Sequence, residues 1–358
     1  MANTEDRQFL DPSVLVEEET VRGYKAEHYY PVKKADLFQD RYRVIGKLGY
    51  GSASTVWLCH DLRKENKYVA LKVYSNCSKV HRELPIYKHI NGLKSEHEGR
   101  DHIRRLLDTF EISGSDGSHV SVGFLPVLLC LPVAMTDVQP RNILLGVLDN
   151  AAFARFERDE RELPIPQFEH ASRAVYISRP MPLTKGAPSL ADLSEARFEG
   201  PANADLVMPD LYRAPEVVLG MPWSYPVDVW GFAMTLWDLF EPKRLFRPHG
   251  EDGRYSERLH MAQMISIMGP PPLDFLRRSK RSLLFWDEEG KWKGDVPVPQ
   301  TSLETAEARL QGEEKELFLN FMKKMLQWRP EDRKDIRDVF MDDWFLADLI
   351  ESGEVVRG

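Results

Sequence analysis

The chain has 358 residues, a net charge of −8 and 42% hydrophobic residues, which is typical of a soluble globular protein with one large domain or two moderate lobes. The acidic balance argues against general nucleic-acid binding. Three widely spaced cysteines without a CxxC pair argue against a disulfide framework and a cysteine-rich zinc site. No apolar run reaches the ~18 residues that cross a bilayer, and the polar N-terminus does not resemble a signal peptide. We therefore expect a protein of the cytoplasm and nucleus.

The first third of the chain changes from polar to strand-rich. Residues 1–35 are acidic and polar, and we predict a flexible arm there. Residues 36–124 are predicted to form a small β-rich lobe, in which the helical pattern at 81–90 contains an unfavourably placed Pro85. The predicted strands of this lobe are 41–49, 54–61 and 67–74.

The remainder, residues 125–350, is predicted to be mainly helical. Segment 226–240 is apolar on almost all sides, as is typical of a helix at the centre of a domain. Amphipathic helical patterns follow it along the chain. The predicted fold class is therefore α+β, with a β-rich N-terminal lobe and a mainly helical C-terminal lobe.

The stretch KLGYGSASTVWL (47–58) places Gly49 and Gly51 between two predicted strands, with Ser54 three positions later. Glycines at such a turn let backbone amides approach a phosphate group closely. Because they lie in a strand–turn–strand and do not open a helix, the pattern does not fit a dinucleotide-binding fold. On this feature alone, a purely structural hairpin is the alternative to nucleotide binding.

Lys72 lies in the apolar strand pattern VALKV (69–73). A buried ammonium group needs a partner, because burying an unpaired charge costs much free energy. Glu83, in the following helical pattern, is the candidate carboxylate, and nucleotide phosphates would be the second partner. A lysine on an edge strand, exposed to solvent, is the alternative.

The stretch MTDVQPRNIL (135–144) contains an aspartate and, five positions later, an asparagine. Asp137 can orient an attacking hydroxyl group and accept its proton, and Asn142 can bind a metal ion. Downstream, Asp192 supplies the second acidic ligand that such a site requires. Mg²⁺ prefers oxygen ligands of this kind together with phosphate oxygens. Taken singly, each of these side chains could instead cap a helix or stabilise a turn.

The longest specific pattern is PDLYRAPEVVLGMPWSYPVDVWG (209–231). Glu216 ends its Tyr-Arg-Ala-Pro-Glu, and Asp228 begins the predicted buried helix. Arg333, in the stretch WRPEDR, is the predicted partner of Glu216 in a buried ion pair. We interpret these three residues as structural.

Taken in order, these motifs resemble those of a eukaryotic protein kinase over nearly the whole chain. More narrowly, HYYPVKKADLFQDRYRVIGKLGYGSASTVWL, MTDVQPRNIL, MPDLYRAPEVVLGMPW and LFRPHG resemble the SR-protein-specific serine/threonine kinases, especially their short fungal members. The resemblance implies a bilobal protein-kinase-like fold, ATP and Mg²⁺ as cofactors, and phosphoryl transfer to serine. The implied substrates are basic, arginine- and serine-rich proteins. We expect a monomer without direct nucleic-acid or membrane partners.

The resemblance also implies roles for individual residues, with Asp137 orienting the hydroxyl group and Lys72 binding phosphates. The implied catalytic residues are Asp137, Lys72, Glu83 and Gln139. The implied metal ligands are Asn142 and Asp192. The implied ATP-binding residues are Leu48, Gly49, Gly51, Ser54, Val56, Ala70, Lys72 and Phe124.

The chain departs from the family pattern at three short motifs. Met135 replaces the histidine that normally braces the catalytic loop. Gln139 replaces a lysine that steadies the transferring phosphate, so we expect a slower chemical step. The metal-binding motif reads Asp-Leu-Ser (192–194), without the backbone freedom of the glycine that the family has at its third position.

The largest departure is a connection of only ten residues, 125–134, between the last strand of the N-terminal lobe and the catalytic motif. Ten residues span at most ~35 Å, so they can connect the lobes. They cannot replace the αD and αE helices of the family, and the lost volume is expected to destabilise the fold. We therefore predict an internal deletion, either natural or caused by splicing or gene assignment. Family insertions are expected at 146–185 and 245–312.

Two other functions remain open at this point. A pseudokinase or truncated isoform would keep the fold as a nucleotide-binding or protein-binding scaffold. A small-molecule kinase of the aminoglycoside or choline type shares the Asp-x₄-Asn pattern, but should lack Tyr-Arg-Ala-Pro-Glu, Asp228 and Arg333. Residues 195–211 contain no serine, threonine or tyrosine, so we expect no activation by phosphorylation of this loop.

Overall fold

The computed structural model describes residues 14–64, 67–78, 80–94, 104–125, 133–147, 149–170, 173–182, 185–198, 200, 203, 205–294 and 296–352. The chain forms two compact units. The first contains residues 1–130 and 143–194, and the second contains residues 131–142 and 195–358. The division differs from the predicted boundary after residue 124, because 143–194 belongs to the first unit. Helices and strands are numbered below along the whole chain.

A six-stranded antiparallel sheet forms the centre of the first unit, in the order β1-β2-β3-β4-β6-β5. Its strands are β1 (Leu37–Phe38), β2 (Tyr42–Gly51), β3 (Ser54–Asp61), β4 (Tyr68–Tyr74), β5 (Arg105–Gly114) and β6 (Gly117–Leu125). Alternating apolar residues of β2, β3 and β4 form its core, which includes Val44, Trp57 and Leu71. The three strands predicted from the sequence are therefore present.

Helix α1 (Val80–Gly92) continues through Pro85. A proline removes one backbone hydrogen bond and crowds the preceding turn. The apolar side of the helix offsets this cost, because Ile86 and Tyr87 are almost completely buried. The same side also carries Glu83, which is 1% exposed.

Residues 14–35 are folded, whereas the sequence predicted a flexible arm over 1–35. They contain two short 3-10 helices, Glu17–Thr20 and Ala26–His28. Glu18 is 2% exposed, and its carboxylate pairs with Lys47 of β2. The composition predicted a flexible arm because a run of acidic residues is usually solvated. Here the buried ammonium group of Lys47 compensates the charge of Glu18.

The first unit also contains elements from the predicted insertion at 146–185. They are α2 (Ala151–Glu162), β9 (Gln167–His170) and β10 (Arg173–Tyr176), and the strands β8 (Ile143–Leu145) and β11 (Pro188–Leu190) flank the insertion and pair with each other. Phe156 of α2 packs on β2, where its ring lies 3.0 Å from the position that a Cβ on Gly46 would occupy. The Tyr176 ring meets Trp57 edge-on, with the ring centroids 5.5 Å apart. These contacts place the insertion on the sheet.

The second unit is mainly helical. Its helices are α3 (Pro215–Val218), α4 (Pro226–Phe240), α5 (Glu257–Met268), α6 (Leu273–Leu276), α7 (Leu303–Ala306), α8 (Gly312–Met325), α9 (Ile336–Phe340) and α10 (Ala347–Glu351). A short strand, β7 (Val133–Ala134), pairs with β12 (Arg197–Phe198). Helix α4 begins with a proline at its first position, where the missing amide proton has no cost. As predicted, α4 is buried in the middle of the core, with Trp230 and Trp237 at its centre.

Residues 245–312, predicted as an insertion, contribute substantially to this core. Phe246, Met261, Phe275 and Trp286 are at most 1% exposed and belong to the same apolar cluster as α4. The region therefore stabilises the second unit. In the described part of the chain, no helix is both long and apolar enough to cross a membrane.

Candidate active site

A lysine–carboxylate cluster lies in the first unit, on one face of the sheet. The Lys72 ammonium group, on β4, lies 3.1 and 3.3 Å from the two carboxylate oxygens of Glu83 on α1. It also lies 3.4 Å from Oδ1 of Asp192. Lys72 is 7% exposed, so the sheet buries it beside two acidic partners and the solvent-exposed alternative is wrong. Two carboxylates from distant motifs, Glu83 and Asp192, therefore lie around the Lys72 ammonium group.

Asp192 is the more accessible of the two carboxylates, because its side chain is 44% exposed and that of Glu83 is 1% exposed. Burial raises the pKa of Asp192, but Lys72 and hydrogen bonds from Ser194 outweigh this, so the pKa lies below its usual value. The backbone at Asp192 has a φ of 62°, in the left-handed region. Ser194 is not among the residues with positive φ, so the glycine that the motif lacks is not needed in this conformation.

Tyr74 is a member of this cluster that the sequence analysis missed. Its hydroxyl group donates a hydrogen bond to Glu83, and its ring lies 4.8 Å from the Lys72 ammonium group. Burial and the Glu83 charge hold the pKa of Tyr74 well above its usual value, so the hydroxyl remains a donor. The sequence does contain a signal for Tyr74. Alternate residues of a strand face the same side, and Tyr74 lies two positions after Lys72.

The glycine-containing turn joins β2 to β3, with Gly51 opposite Ser54. Neither Gly49 nor Gly51 has a positive φ, and a Cβ added to either would contact no atom within 4 Å. The hairpin itself therefore does not require glycine at these two positions. Glycine at these positions instead leaves the backbone amides accessible to a group that approaches from outside. This favours the phosphate-binding interpretation over the structural hairpin.

Several of the predicted ATP-binding residues lie next to one another on neighbouring strands of the sheet. Val56 lies opposite both Gly49 and Lys72 in the strand pairing. Ala70 pairs with Phe124 through the backbone. The side chain of Phe124 lies outside the described residues, as does the connection at 126–132. Leu48, Val56 and Ala70 are half-buried.

The catalytic-loop motif lies in the second unit, where amide groups hold Asp137. The Asn142 side-chain nitrogen donates to the Asp137 carboxylate at 2.7 Å and to its backbone oxygen at 3.0 Å. The Gln139 amide also donates to this carboxylate, and Arg141 donates to the Gln139 side-chain oxygen at 2.6 Å. The side-chain amides of Gln139 and Asn142 thus orient the Asp137 carboxylate.

Buried Asp228 also holds this loop, through hydrogen bonds to its backbone. Its two carboxylate oxygens accept hydrogen bonds from the backbone amides of Met135 and Thr136, at 2.8 and 2.9 Å. Burial raises the pKa of Asp228 to about 6, although the two amides act in the opposite direction. Thr136 has a φ of 41°, a strained value for a β-branched residue. Asp228 helps to hold that conformation, and no histidine at position 135 is needed for this contact.

The predicted ion pair between Glu216 and Arg333 is present in the second unit. The guanidinium group binds both carboxylate oxygens at 2.6 and 2.7 Å and also donates to the backbone oxygen of Pro226 at 2.8 Å. Both residues are buried. This pair connects α3 to the chain segment that follows α8 and to the start of α4.

Each unit, taken by itself, contains donor atoms of the kind that bind magnesium ions and phosphate groups. Asp192 offers a partly exposed carboxylate of low pKa. Asn142 uses its amide nitrogen for Asp137, so its amide oxygen is the atom that can bind a cation. Lys72 offers an ammonium group to phosphate oxygens. Among the described residues, no group of three or more His, Cys, Asp or Glu side chains is placed to hold a metal ion.

Comparison with known proteins identifies the class. Residues 184–345 match the protein kinase domain family. A crystal structure of a kinase domain superposes with a TM-score of 0.66, covering 90% of this chain and 100% of that chain at 21% identity, which shows the fold. The predicted protein kinase fold is therefore confirmed.

Sequence relatives narrow the class further. A serine/threonine protein kinase of Aspergillus fumigatus is 38% identical over 372 residues, covering 96% of this chain and 94% of the relative. The serine/threonine-protein kinase SRPK of Physarum polycephalum is 27% identical and covers 93% and 92%. The human dual specificity protein kinase CLK2 is 25% identical and covers 89% and 67%. The chain belongs to the protein serine/threonine kinase family.

The Aspergillus alignment is longer than this chain of 358 residues, so that relative has residues without a counterpart here. The internal deletion at 125–134 stays a prediction. The small-molecule kinase alternative is not supported, because the relatives and the Glu216–Arg333 pair are those of protein kinases.

Proposed function

We propose that this protein serine/threonine kinase transfers the γ-phosphoryl group of MgATP to serine residues of basic, arginine- and serine-rich proteins. The observation that supports the nucleotide chemistry most strongly is the Lys72–Glu83–Asp192 cluster. A cation between two carboxylates, one of them partly exposed, is suited to receive phosphate oxygens and a magnesium ion.

In this proposal, each part of the site has one task. Lys72 binds the phosphates and Glu83 holds its ammonium group in position. Asp192 and Asn142 ligate Mg²⁺, which neutralises charge on the phosphate oxygens. Asp137 orients the serine hydroxyl group and accepts its proton. The turn at 49–54 covers the phosphates with backbone amides.

The substrate class is supported by two facts. The catalytic motif and flanking segments resemble SR-protein-specific kinases, and the relatives include proteins named SRPK and CLK2. The chain also has a net charge of −8, which favours association with basic substrates, particularly at low salt.

The test is phosphate transfer from MgATP to a peptide of Arg-Ser repeats, with a matched peptide in which lysine replaces every arginine. We expect transfer to the arginine peptide at a kcat/KM at least ten times that for the lysine peptide, because guanidinium groups bind carboxylates in a bidentate way. Asp137→Asn should remove transfer without removing MgATP binding. Equal use of the two peptides would contradict the substrate proposal, and unchanged transfer by Asp137→Asn would contradict the assignment of the base.

A second candidate function, a nucleotide-binding scaffold, is favoured by one observation. Gln139 is neutral where the family has a lysine, and it is hydrogen-bonded to Asp137. Thermal stabilisation by MgATP without transfer to any serine peptide would favour this scaffold over the active kinase.

A further inference from the structure

The folded N-terminal segment, residues 14–35, reaches the phosphate-binding turn through Tyr29. The Tyr29 hydroxyl group lies 2.9 Å from the backbone oxygen of Ser52 and 3.2 Å from that of Gly51, so the two carbonyls share its single proton. Tyr29 is 6% exposed. Burial, with a smaller contribution from Glu18, raises the pKa of Tyr29 to about 12, so the hydroxyl remains a donor at neutral pH.

The end of β4 connects the same two parts of the chain. The backbone amide of Ser75 donates to the Ala53 oxygen at 2.8 Å, which holds the turn. The next residue, Asn76, donates from its backbone to His28 at 2.9 Å and from its side chain to Glu27 at 3.0 Å. The segment, the turn and β4 are therefore hydrogen-bonded to one another around Tyr29.

A buried charge network anchors the other end of the segment. Lys47 of β2 has a side-chain exposure of 0% and pairs with Glu18 and, at 3.2 Å, with Glu17. Its ammonium group also donates to the Tyr176 backbone oxygen at 2.9 Å. Arg173 lies 3.2 Å from Glu18 on the other side. If the segment left the sheet, Lys47 would lose both carboxylates while buried, which is costly. The segment is therefore held in place.

The turn that Tyr29 contacts is held by the β2–β3 pairing, by the Ser75 amide and by the Tyr29 hydroxyl group, and its two glycines add no side-chain contact. Gly49 and Gly51 have no side chains, and the surrounding space at both is open. A turn of this kind loses conformational freedom when it closes on a ligand, and a contact that orders it beforehand reduces that loss. Restraint by a neighbouring hydroxyl group therefore has a direct effect on affinity.

We propose that Tyr29 is a positioning residue for nucleotide binding, because its hydroxyl group holds the 49–54 turn in the conformation that receives the phosphates. This inference rests on the proposed function, since it needs the turn to bind MgATP. Tyr29 contacts neither substrate nor cofactor in this proposal. It acts through the carbonyls of Gly51 and Ser52.

The test compares Tyr29→Phe with Tyr24→Phe in the full-length chain. Tyr24 lies in the same segment, its ring centroid is 5.3 Å from that of Tyr29, and its buried hydroxyl has no hydrogen-bond partner among the described residues. Each change removes one buried hydroxyl group and keeps the ring. The measurements are the affinity for MgATP, the KM for ATP and kcat, the melting temperature, and amide hydrogen exchange of residues 49–54 without nucleotide.

We expect Tyr29→Phe to weaken MgATP binding and raise the KM for ATP by about three- to tenfold, the range for loss of one hydrogen bond. We expect kcat to change less than twofold and exchange in the turn to become faster. Tyr24→Phe should match the wild-type protein in each of these. Identical turn exchange and MgATP affinity in both variants would overturn the proposal. So would a lower melting temperature in Tyr29→Phe with unchanged turn exchange, since the role would then be structural only.

Hydrogen exchange without nucleotide separates this proposal from the proposed function. If wild-type protein fails to bind MgATP, the function proposed above fails. A faster-exchanging turn in Tyr29→Phe would still support the restraint by Tyr29, and an unchanged one would overturn it.

Discussion

One buried ion pair from each unit can be compared with the other, and the two differ in how far solvent reaches them. In the second unit, Arg333 binds both oxygens of Glu216, and the two side chains are 0% and 1% exposed. In the first unit, Lys72 contacts Glu83 at longer distances and has a further partner, Asp192, whose side chain is 44% exposed. The Glu216–Arg333 pair is shielded from solvent and cannot contact a ligand, whereas the exposed Asp192 carboxylate beside Lys72 can. The same chemistry of cation and carboxylate thus stabilises the fold in one place and serves the proposed reaction in the other.

The largest expected effect comes from breaking the Glu216–Arg333 pair. We expect Glu216→Gln to lower the free energy of unfolding by about 3–5 kcal/mol, because it leaves Arg333 buried and charged without its partner. Thermal or urea unfolding measures this. The control is Glu331→Gln, which breaks an exposed pair with Arg278 and should cost at most about 1 kcal/mol. Similar losses in both variants would contradict the distinction between buried and exposed pairs.

Breaking the Lys72–Glu83 pair should affect activity more than stability. We expect Lys72→Met to reduce kcat/KM by about a hundred- to a thousandfold, the loss typical of one donor that stabilises charge in the transition state. The free energy of unfolding should fall by less than in Glu216→Gln, because Asp192 is partly hydrated and Glu83 keeps hydrogen bonds from Tyr74 and from the Leu193 amide. Lys88→Met, on the exposed side of α1, is the matched control. A loss of stability as large as that of Glu216→Gln would show that the first pair is structural as well.

Asp228 extends the comparison to a buried carboxylate held by backbone amides. Burial raises the pKa of Asp228 from 3.8 to about 6, so the folded state binds this proton more tightly than the unfolded state. As the pH rises from about 4 to about 6, this group therefore lowers the free energy of unfolding. Activity should change in the opposite direction. At pH 5 only about a tenth of Asp228 would be ionised, so we expect kcat to fall about tenfold from its value at pH 7.

The control for this pH dependence is Asp228→Asn. It should have a lower kcat at every pH and lack the fall between pH 7 and pH 5. A fall of equal size in the variant would assign it to another group.

The smallest expected effect tests a position where the family has a cation and this chain has none. Gln139→Lys should raise kcat by a few-fold, up to about tenfold, because a positive charge near the transferring phosphate stabilises its transition state. Gln139→Met, which is neutral and cannot donate, should lower kcat below that of the wild type. If Gln139→Lys does not raise kcat, Arg141, which already contacts Gln139, supplies the positive charge.

Much of the candidate site could be predicted from the sequence, because its parts are short motifs with fixed spacing. Asp137 and Asn142 are five residues apart, and their hydrogen bond follows from that spacing within one loop. The Lys72–Glu83 pair spans eleven residues, from one strand to the next helix. The strands β2, β3 and β4 were also predictable from their apolar alternation and turns.

The sequence alone therefore determined the kinase class and the order of its motifs, and it predicted the Lys72–Glu83 and Asp137–Asn142 contacts but not Tyr74. Only the tertiary structure decided that residues 14–35 are folded, that 143–194 belong to the first unit, and that Tyr29 contacts the turn at 49–54. The physical reason is that these features depend on partners distant in sequence, such as the contact of Arg173 with Glu18 across 155 residues. From the sequence alone, a charged residue is expected to be exposed to solvent. Only its neighbours in space show that it is buried and paired.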